Sequence, residues 1–289
     1  MDSASVELDE SLLRSWIGRT ERAADLVAAV PFAGMAATLD YPAELPADGT
    51  LLPPLWHWLC FLPRARQSEI GEDGHPRRGG FLPPVPLPRR MWAGSRLAFH
   101  EPLRVGDRLQ RDSQIADVSI KRGKTGTLVF VQVRHELRRQ GSDALALTEF
   151  QDIVYRDAPA PGAAPPPASP APAESAWQRR IEPDPVLLFR YSALTFNGHR
   201  IHYDRPYATG VEGYPGLVVH GPLMATLLAD LFGRHISAPM TSFQFRALRP
   251  VFDLRPFEVH GAPEPDGRSA RLWVRDPDGL LAMEARAGF

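Results

Sequence analysis

The chain has 289 residues, of which 44% are apolar, and a formal net charge of −1. This length allows two domains, and the near balance of charge gives no overall field that favours nucleic acid or anionic lipid. No apolar run approaches the ~20 residues of a membrane span. The acidic start, Met1 to Glu10, lacks a secretory pattern, and Cys60 is the only cysteine. We therefore expect a cytoplasmic globular protein without nucleic-acid or membrane partners.

The first half of the chain combines helical and strand patterns. An apolar pattern with helical spacing lies at its start, and a second helix is predicted over 23–37. Alternating apolar and polar residues then predict four strands, bounded by turn residues. These strands cover residues 96–100, 107–119, 129–137 and 145–155. Residues 122–126 predict a hairpin turn between two of them.

A proline-rich segment separates the two halves. Residues 158–173 contain only Ala, Pro, Gly and Ser, with seven prolines. Proline fixes its own φ and has no N–H, so this composition predicts a semi-extended tether. The sequence therefore predicts an N-terminal domain over 1–157, a linker over 158–175 and a C-terminal domain over 176–289.

The second half repeats the layout of the first. An irregular segment is predicted over 190–219, followed by a helix over 222–234 with an apolar stripe. The stripe consists of Leu223, Leu227, Leu228 and Leu231. Four strands are then predicted over 242–248, 256–260, 270–275 and 280–286. Two similar halves favour an α+β architecture of two helix-wrapped antiparallel sheets, which can lie edge to edge.

The 190–222 segment holds the residues best suited to chemistry. Asn197, His199 and His202 lie within six residues, and His220-Gly221 directly precedes the apolar helix. An imidazole titrates near neutral pH, so it can take up and return a proton. The first N–H groups of a helix have no partner inside the helix and carry partial positive charge. This combination indicates a site for a reacting carbonyl compound.

This segment resembles the signature of MaoC-like hydratases, which are enoyl thioester hydratases and dehydratases of hotdog fold. Tyr191-Ser192 opens the signature, Asn197-Gly198-His199-Arg200-Ile201-His202-Tyr203-Asp204 fills its middle, and His220-Gly221 closes it. The run from Ser192 to Asp204 is very similar to the subgroup with itaconyl-CoA and mesaconyl-C4-CoA hydratases and mitochondrial hydroxyacyl-thioester dehydratases.

The first half resembles the N-terminal domain of FAS1-type dehydratases. Three short pieces carry the resemblance: Asp73-Gly74-His75-Pro76, Gly80-Phe81-Leu82-Pro83-Pro84 and Met91-Trp92-Ala93-Gly94. Together the two resemblances imply a double hotdog fold. They also imply a hydro-lyase that acts on an acyl-CoA substrate, with no cofactor beyond the CoA that the substrate carries.

The resemblance assigns a role to each candidate catalytic residue. His202 is the expected base. Asn197 stands where the broader family has Asp; because an amide cannot take a proton, Asn197 is expected only to orient water. The N–H of Gly221 is expected to polarise the thioester oxygen as in an oxyanion hole. Expected substrate-binding residues are Arg200, Tyr191, His199, His220, Arg90 and Trp92, with Arg200 favoured as the carboxylate or phosphate partner.

Several alternatives stay open at this stage. The chain can be a (3R)-hydroxyacyl-CoA or acyl-carrier-protein dehydratase, or a non-catalytic thioester-binding subunit. His202 can be a core histidine bonded to a backbone carbonyl. A metal site at His199, His202 and His220 is not predicted, because Gly198 disfavours the helix that would align the first two. Two hotdog units can complete each other within one chain, or the chain can form a homodimer.

Overall fold

The computed structural model of the chain describes residues 8–42, 44–123, 126–157 and 168–289. Within these ranges, no helix combines the length and apolar character needed to cross a bilayer. Ten antiparallel strands form one sheet, with five strands from each half of the chain. The strands are β1 Thr20–Leu26, β2 Arg89–Phe99, β3 Arg108–Gly123, β4 Gly126–Arg139, β5 Leu145–Arg156, β6 Trp177–Ile181, β7 Ser242–Ala247, β8 Phe257–Pro263, β9 Ser269–Arg275 and β10 Leu281–Gly288.

The two halves of the sheet join through one pair of strands. The strand order is β1-β3-β4-β5-β2-β7-β10-β9-β8-β6, and β2 pairs with β7 from Gly94↔Arg246 to Ala98↔Ser242. The predicted edge-to-edge arrangement of two antiparallel sheets is therefore confirmed, and the α+β class with it. The prediction of four strands per half misses β1 and β6.

Five α-helices and three 3-10 helices complete the described structure. The α-helices are α1 Glu10–Arg14, α2 Ala29–Thr38, α3 Pro185–Thr195, α4 Arg205–Gly210 and α5 Gly221–His235. The 3-10 helices cover Trp56–Leu59, Gln67–Glu69 and Arg200–His202. The predicted apolar stripe of α5 is confirmed, because Leu223, Leu227, Leu228 and Leu231 are all buried. This helix packs against β6, β8, β9 and β10, the sheet of the C-terminal half; burying each leucine contributes about 1.5–3 kcal/mol.

Two predictions of secondary structure are wrong, one of a helix and one of an irregular segment. The helix expected over 23–37 is the end of β1 followed by α2, since residues 20–26 pair with β3 instead. The segment expected to be irregular over 190–219 contains the end of α3, a 3-10 turn and α4. Asp184 explains α3, because its side chain accepts a hydrogen bond from the Leu187 N–H, and Pro185 follows at the first helical position.

Most of the predicted linker, residues 158–167, lies outside the described residues. Its described end runs beside β10, where Pro170 forms an isolated antiparallel bridge with Leu280. Residues 124 and 125 of the predicted hairpin turn also lie outside the described residues, although Gly123 and Gly126 on either side pair with each other. The domain boundaries drawn around the linker stay a prediction.

Candidate active site

The candidate site begins where α3 ends. Phe196 adopts a left-handed conformation with φ 49° and stops the helix. The N–H of Asn197 donates to the Ser192 carbonyl at 2.8 Å, and the Asn197 Oδ1 accepts from the N–H of His199 at 3.0 Å. These bonds turn the chain sharply. Asn197, His199 and His202 consequently all line one cavity.

The hydrogen bond of His202 determines which ring nitrogen is available for chemistry. Its Nδ1 lies 2.7 Å from the carbonyl oxygen of Val218, which can only accept. Nδ1 therefore carries the proton, and Nε2 keeps its lone pair. Burial lowers the pKa of His202 to about 4, so the imidazole is neutral at neutral pH. The neutral ring has the form that a general base requires.

His220 and Tyr191 lie behind His202. The imidazole of His220 stacks on that of His202, with ring centroids 3.7 Å apart and planes 20° apart. Its Nε2 lies 2.9 Å from the Ser192 hydroxyl, and the Tyr191 ring is 5.0 Å away. His220 and Tyr191 are fully buried and do not line the cavity. Their predicted contact with substrate is therefore corrected: the structure places them as packing supports for the His202 ring.

Gly221 begins helix α5 and lines the same cavity. Among the described residues, no hydrogen-bond acceptor is found for its N–H. The nearest atom that an added Cβ would meet is the Trp92 carbonyl oxygen at 3.8 Å. The N–H is thus one of the unpaired donors at a helix N-terminus, in reach of a ligand. This arrangement can stabilise negative charge on a thioester oxygen.

The cavity has a volume of about 1350 Å³ and is lined by residues of both halves of the chain. Among the residues that the structure describes, its lining is rich in arginine and contains one carboxylate, that of Glu21. The arginines are Arg22, Arg64, Arg77, Arg78, Arg90, Arg111, Arg156 and Arg249. Such a lining suits a ligand with several negative charges.

Two of the predicted substrate-binding residues from the first half line the cavity. Arg90 has no carboxylate within 4 Å among the described residues. Arg90 lies in β2, where it pairs with Tyr155 of β5, and both residues line the cavity. Trp92 directs its indole N–H at the carbonyl of Gly94, 3.1 Å away. Its ring packs against Trp58, with centroids 4.9 Å apart, at the wall of the cavity.

The position of Arg200 corrects the prediction made for it. Its guanidinium forms an ion pair with Asp204 at 2.7 Å, donates to the Glu72 carbonyl at 3.1 Å and stacks on the Tyr207 ring at 4.1 Å. Arg200 does not line the cavity. Arg200 is only two residues from His202 in the sequence. Its side chain nevertheless points away from the cavity and stabilises the loop through these contacts.

Sequence reasoning did not include Asp73 and His75 among the site residues. The Nδ1 of His75 lies 3.0 Å from Asp73 Oδ2, and the His75 ring lies 4.1 Å from the His199 ring. His75 also lines the cavity. The motif Asp73-Gly74-His75-Pro76 was visible in the sequence, but nothing local indicated that it meets His199.

Close backbone contact joins the two histidine-bearing loops. The N–H of Arg200 donates to the Asp73 carbonyl at 2.9 Å. Gly74 has φ +87°, and a Cβ added there would lie 1.7 Å from the carbonyl oxygen of Gly198. The contact is therefore possible only without a side chain at position 74.

We predict that Gly74→Ala separates the two loops. Catalytic activity should fall at least about tenfold, and the free energy of unfolding by about 1–3 kcal/mol. Gly79→Ala is the matched control, because Gly79 shares a positive φ of +93° but its Cβ would meet only Pro84 Cβ at 3.7 Å. Activity assays and urea titrations of both variants measure the difference. Equal losses in the two variants would show that the contact with Gly198 is unimportant.

A group of donor atoms near the site has the spacing of a metal site. Ligand atoms of Asp73, His75 and His199 all lie within 4.8 Å of one another. However, Asp73 Oδ2 and His75 Nδ1 already bind each other. We interpret the group as a hydrogen-bonded pair, Asp73 and His75, beside the ring of His199. The prediction that the protein uses no metal stays a prediction.

We predict that the protein loses stability in mild acid. Burial lowers the pKa of His135 and His202 to about 4 and that of His199 to about 2, and burial also lowers the pKa of His220. The unfolded chain binds protons at these rings below about pH 6.5, where the folded chain does not. The free energy of unfolding is therefore complete above about pH 6.5 and falls as the pH drops toward about 4. Urea titrations across this range measure it, and a constant midpoint would contradict the prediction.

Comparisons with known proteins support this architecture. The family profile of hydroxyacyl-thioester dehydratase type 2 matches residues 55–253. A mesaconyl-C(4)-CoA hydratase of Chloroflexus aurantiacus is 50% identical over 271 residues, which cover 94% of this chain and 95% of that protein. A mitochondrial hydroxyacyl-thioester dehydratase type 2 of Schizosaccharomyces pombe is 29% identical over 263 residues, which cover 81% and 85%.

Solved structures of lower identity share the fold. A MaoC-like dehydratase from Phytophthora capsici has a TM-score of 0.69 at 13% identity, covering 98% of this chain and 99% of that chain. A Mycobacterium tuberculosis protein described as a double hotdog fold has a TM-score of 0.54 at 15% identity, covering 94% and 96%. Fold and relatives define a double hotdog enzyme of the hydratase and dehydratase class. The chain belongs to the hydroxyacyl-thioester dehydratase type 2 family, which confirms the resemblance found in its motifs.

Proposed function

We propose that the protein adds water reversibly to the double bond of mesaconyl-C4-CoA and forms citramalyl-CoA. The relative that is 50% identical bears the name of this activity. In this substrate the double bond is conjugated to the thioester carbonyl, and the β-carbon carries a free carboxylate. A site for it needs a base, a donor to the thioester oxygen and a cation near the β-carbon.

The observation that carries the proposal is the meeting of His202 and Gly221 at one cavity. The unprotonated Nε2 of His202 can take a proton from water, whose oxygen then bonds to the β-carbon. The electron pair of the double bond moves toward the thioester oxygen, where the Gly221 N–H stabilises the developing charge. Delivery of a proton to the α-carbon completes the addition. Asn197 also lines the cavity. Its Oδ1 accepts a hydrogen bond from the His199 N–H, and its amide group can orient the water.

The arginine lining supports a substrate with both phosphates and a carboxylate. Arginine binds either group through two parallel hydrogen bonds. Arg90 is the best carboxylate partner, because it lines the same cavity as His199 and His202 and has no acidic partner among the described residues. The substrate carboxylate is one bond from the β-carbon, so its partner must lie close to the water-activating ring. Arg77 and Arg156, which form no ion pair among the described residues, would bind the CoA phosphates. Other arginines of the lining already pair with carboxylates: Arg22, Arg64, Arg111 and Arg249.

A panel of CoA esters tests the proposal directly. Loss of absorbance of the enoyl thioester is followed with mesaconyl-C4-CoA, itaconyl-CoA, crotonyl-CoA and a long-chain trans-2-enoyl-CoA. We expect mesaconyl-C4-CoA to give the highest kcat/KM. A preference for the long-chain ester would favour the alternative, a (3R)-hydroxyacyl-CoA or acyl-carrier-protein dehydratase; the Schizosaccharomyces pombe relative is named a hydroxyacyl-thioester dehydratase. Binding of the esters without turnover would favour a non-catalytic thioester-binding subunit.

Three further expectations belong to the proposal. No cofactor is expected beyond the CoA of the substrate, and the protein is expected to work in the cytoplasm, as part of a route that degrades itaconate. A homodimer is expected, because each half ends in an edge strand, β1 or β6, whose outer backbone groups are unpaired in the sheet. Sedimentation velocity measures the oligomeric state, and a monomer at micromolar concentration would remove the dimer from the proposal.

A further inference from the structure

Hydration requires a place to hold a proton between two bond-forming steps. The proton that leaves water must be kept until the α-carbon accepts one. In the broader signature a carboxylate stands beside the catalytic histidine, but this chain has Asn197 there, and an amide cannot hold a proton. The burial that keeps His202 neutral also makes its protonated form costly. If the protein catalyses the proposed hydration, on which this inference rests, another group must hold the proton between the two steps.

A row of three imidazoles leads from the reacting site to a carboxylate of the other half. The ring centroids of His202 and His199 are 5.3 Å apart, and those of His199 and His75 are 4.1 Å apart. Asp73 Oδ2 accepts a hydrogen bond from Nδ1 of His75 at 3.0 Å, and its Oδ1 accepts from the His75 N–H at 3.0 Å. His75, His199 and His202 all line the cavity. Within the described ranges, Asp73 is the only carboxylate hydrogen-bonded to this row.

We propose that Asp73, His75 and His199 form a proton relay with His202 and replace the carboxylate that is absent at position 197. His202 touches the attacking water, and His199 connects it to His75. Asp73 is a positioning residue, because it acts through His75: it holds the ring with Nδ1 protonated, so that Nε2 can accept a proton. A ligand nitrogen of His199 lies within 4.8 Å of one of His75, a gap that one water can bridge.

The relay leaves no net change in the protein. As the C–O bond forms at the β-carbon, an O–H bond of water breaks and its proton goes to Nε2 of His202. His199 takes this proton at one ring nitrogen as it releases another from its second nitrogen, so no charge rests on this ring, whose protonated form burial disfavours. The charge comes to rest on His75, where the Asp73 carboxylate stabilises the imidazolium. The pair of electrons on the enolate finally takes a proton back from the row, and the C–H bond forms at the α-carbon. Water supplies every atom that is added.

The surroundings of His75 show why Asp73 is required. Burial and the positive charges of Arg90 and Arg78 lower the pKa of His75, and the hydrogen bond to Asp73 opposes them. For Asp73, burial alone would raise the pKa, but the hydrogen bond and charge of His75 outweigh it and keep the carboxyl ionised. His199 also faces this pair, and Asp73 acts on Tyr207 as well, where its charge contributes to a raised pKa after the larger effects of burial and Glu212. Without Asp73, every remaining influence disfavours a proton on His75.

Asp73→Asn tests the relay, because it removes the charge and keeps the shape. We expect kcat for the substrate that the wild-type protein turns over to fall about 10²-fold or more, with KM changed less than about threefold. The acid limb of the kcat–pH profile should move to lower pH, because loss of the carboxylate lowers the pKa of the row. Glu72→Gln is the matched control: it removes an exposed neighbouring carboxylate outside the cavity and should leave kcat and the acid limb unchanged.

Two rescue experiments separate a relay from a structural role. His75→Ala should lose kcat similarly and regain part of it when free imidazole is added, since the cavity gives access to that position. Adding Asn197→Asp to the Asp73→Asn variant should raise its kcat at least tenfold, because the second substitution returns a carboxylate to the site. A purely structural defect would respond to neither. Urea midpoints close to that of the wild-type protein show that each variant is folded.

The relay is overturned if Asp73→Asn and His75→Ala keep kcat within about threefold of the wild-type value. It is also overturned if EDTA abolishes activity and Zn²⁺ restores it, because the three side chains would then act as metal ligands. Turnover by the wild-type protein distinguishes failure of the proposed hydration from failure of the proton relay. If the wild-type protein hydrates none of the esters, the proposed function fails; if only the variants are unaffected, the relay alone fails.

Discussion

Replacing His202 by Asn should lower kcat for hydration by about 10²–10⁴-fold, the range that one general acid–base group contributes. The amide N–H of asparagine can still donate to the Val218 carbonyl, which His202 Nδ1 contacts at 2.7 Å. Asparagine has no proton acceptor at the position of Nε2. The variant therefore lacks the base that activates water, while the loop keeps its hydrogen bond. Stopped-flow or steady-state absorbance of the enoyl thioester measures kcat.

The control for this prediction is another histidine with a hydrogen bond but no access to the cavity. His100 is exposed and contacts the Thr148 hydroxyl at 3.0 Å. His100→Asn should leave kcat unchanged. Near wild-type activity of His202→Asn would remove His202 as the base and leave the mechanism without its central group. His202→Ala should lose activity as severely and also lose stability, because the Val218 carbonyl is then buried without a donor.

Replacing Arg90 by Gln should change substrate preference. We expect kcat/KM for mesaconyl-C4-CoA to fall about 10²-fold, which corresponds to about 2.7 kcal/mol for the lost charged contact. Crotonyl-CoA has no carboxylate, so its kcat/KM should change less than about threefold. The ratio of the two values is the measurement, because it cancels any general damage to the site. The preference for the dicarboxylyl substrate should therefore largely disappear.

A second arginine of the lining provides the comparison. Arg77 is exposed and lines the cavity, so it suits a CoA phosphate, and Arg77→Gln should weaken both substrates equally. If Arg90→Gln also weakens both equally, Arg90 binds the CoA portion and the carboxylate partner lies elsewhere. The pair of variants thus separates recognition of the acyl group from recognition of its carrier.

The candidate site was predictable to the extent that its residues are close in the chain. His202, Asn197 and Gly221 were found because one continuous segment and one helix start hold all three, and the structure brings them to one cavity. Arg200 was misplaced because sequence proximity does not determine which way a side chain leaves a turn. Asp73 and His75 were missed as site residues, since they lie more than a hundred residues from His199 along the chain.

The same physical distinction applies to the fold. The sequence by itself determined helix α5, the eight inner strands and the two-part plan, because burial on one face imposes a period of two or 3.6 on the residues themselves. The strands β1 and β6 were decided only by tertiary structure. They are the two edges of the sheet, and they exist as strands because β3 and β8 offer them hydrogen-bond partners. Most residues of β1 are exposed, and β6 has only one buried residue. The docking of Gly74 against Gly198 is of the same kind: it joins distant loops through backbone contact, and no local pattern of residues encodes it.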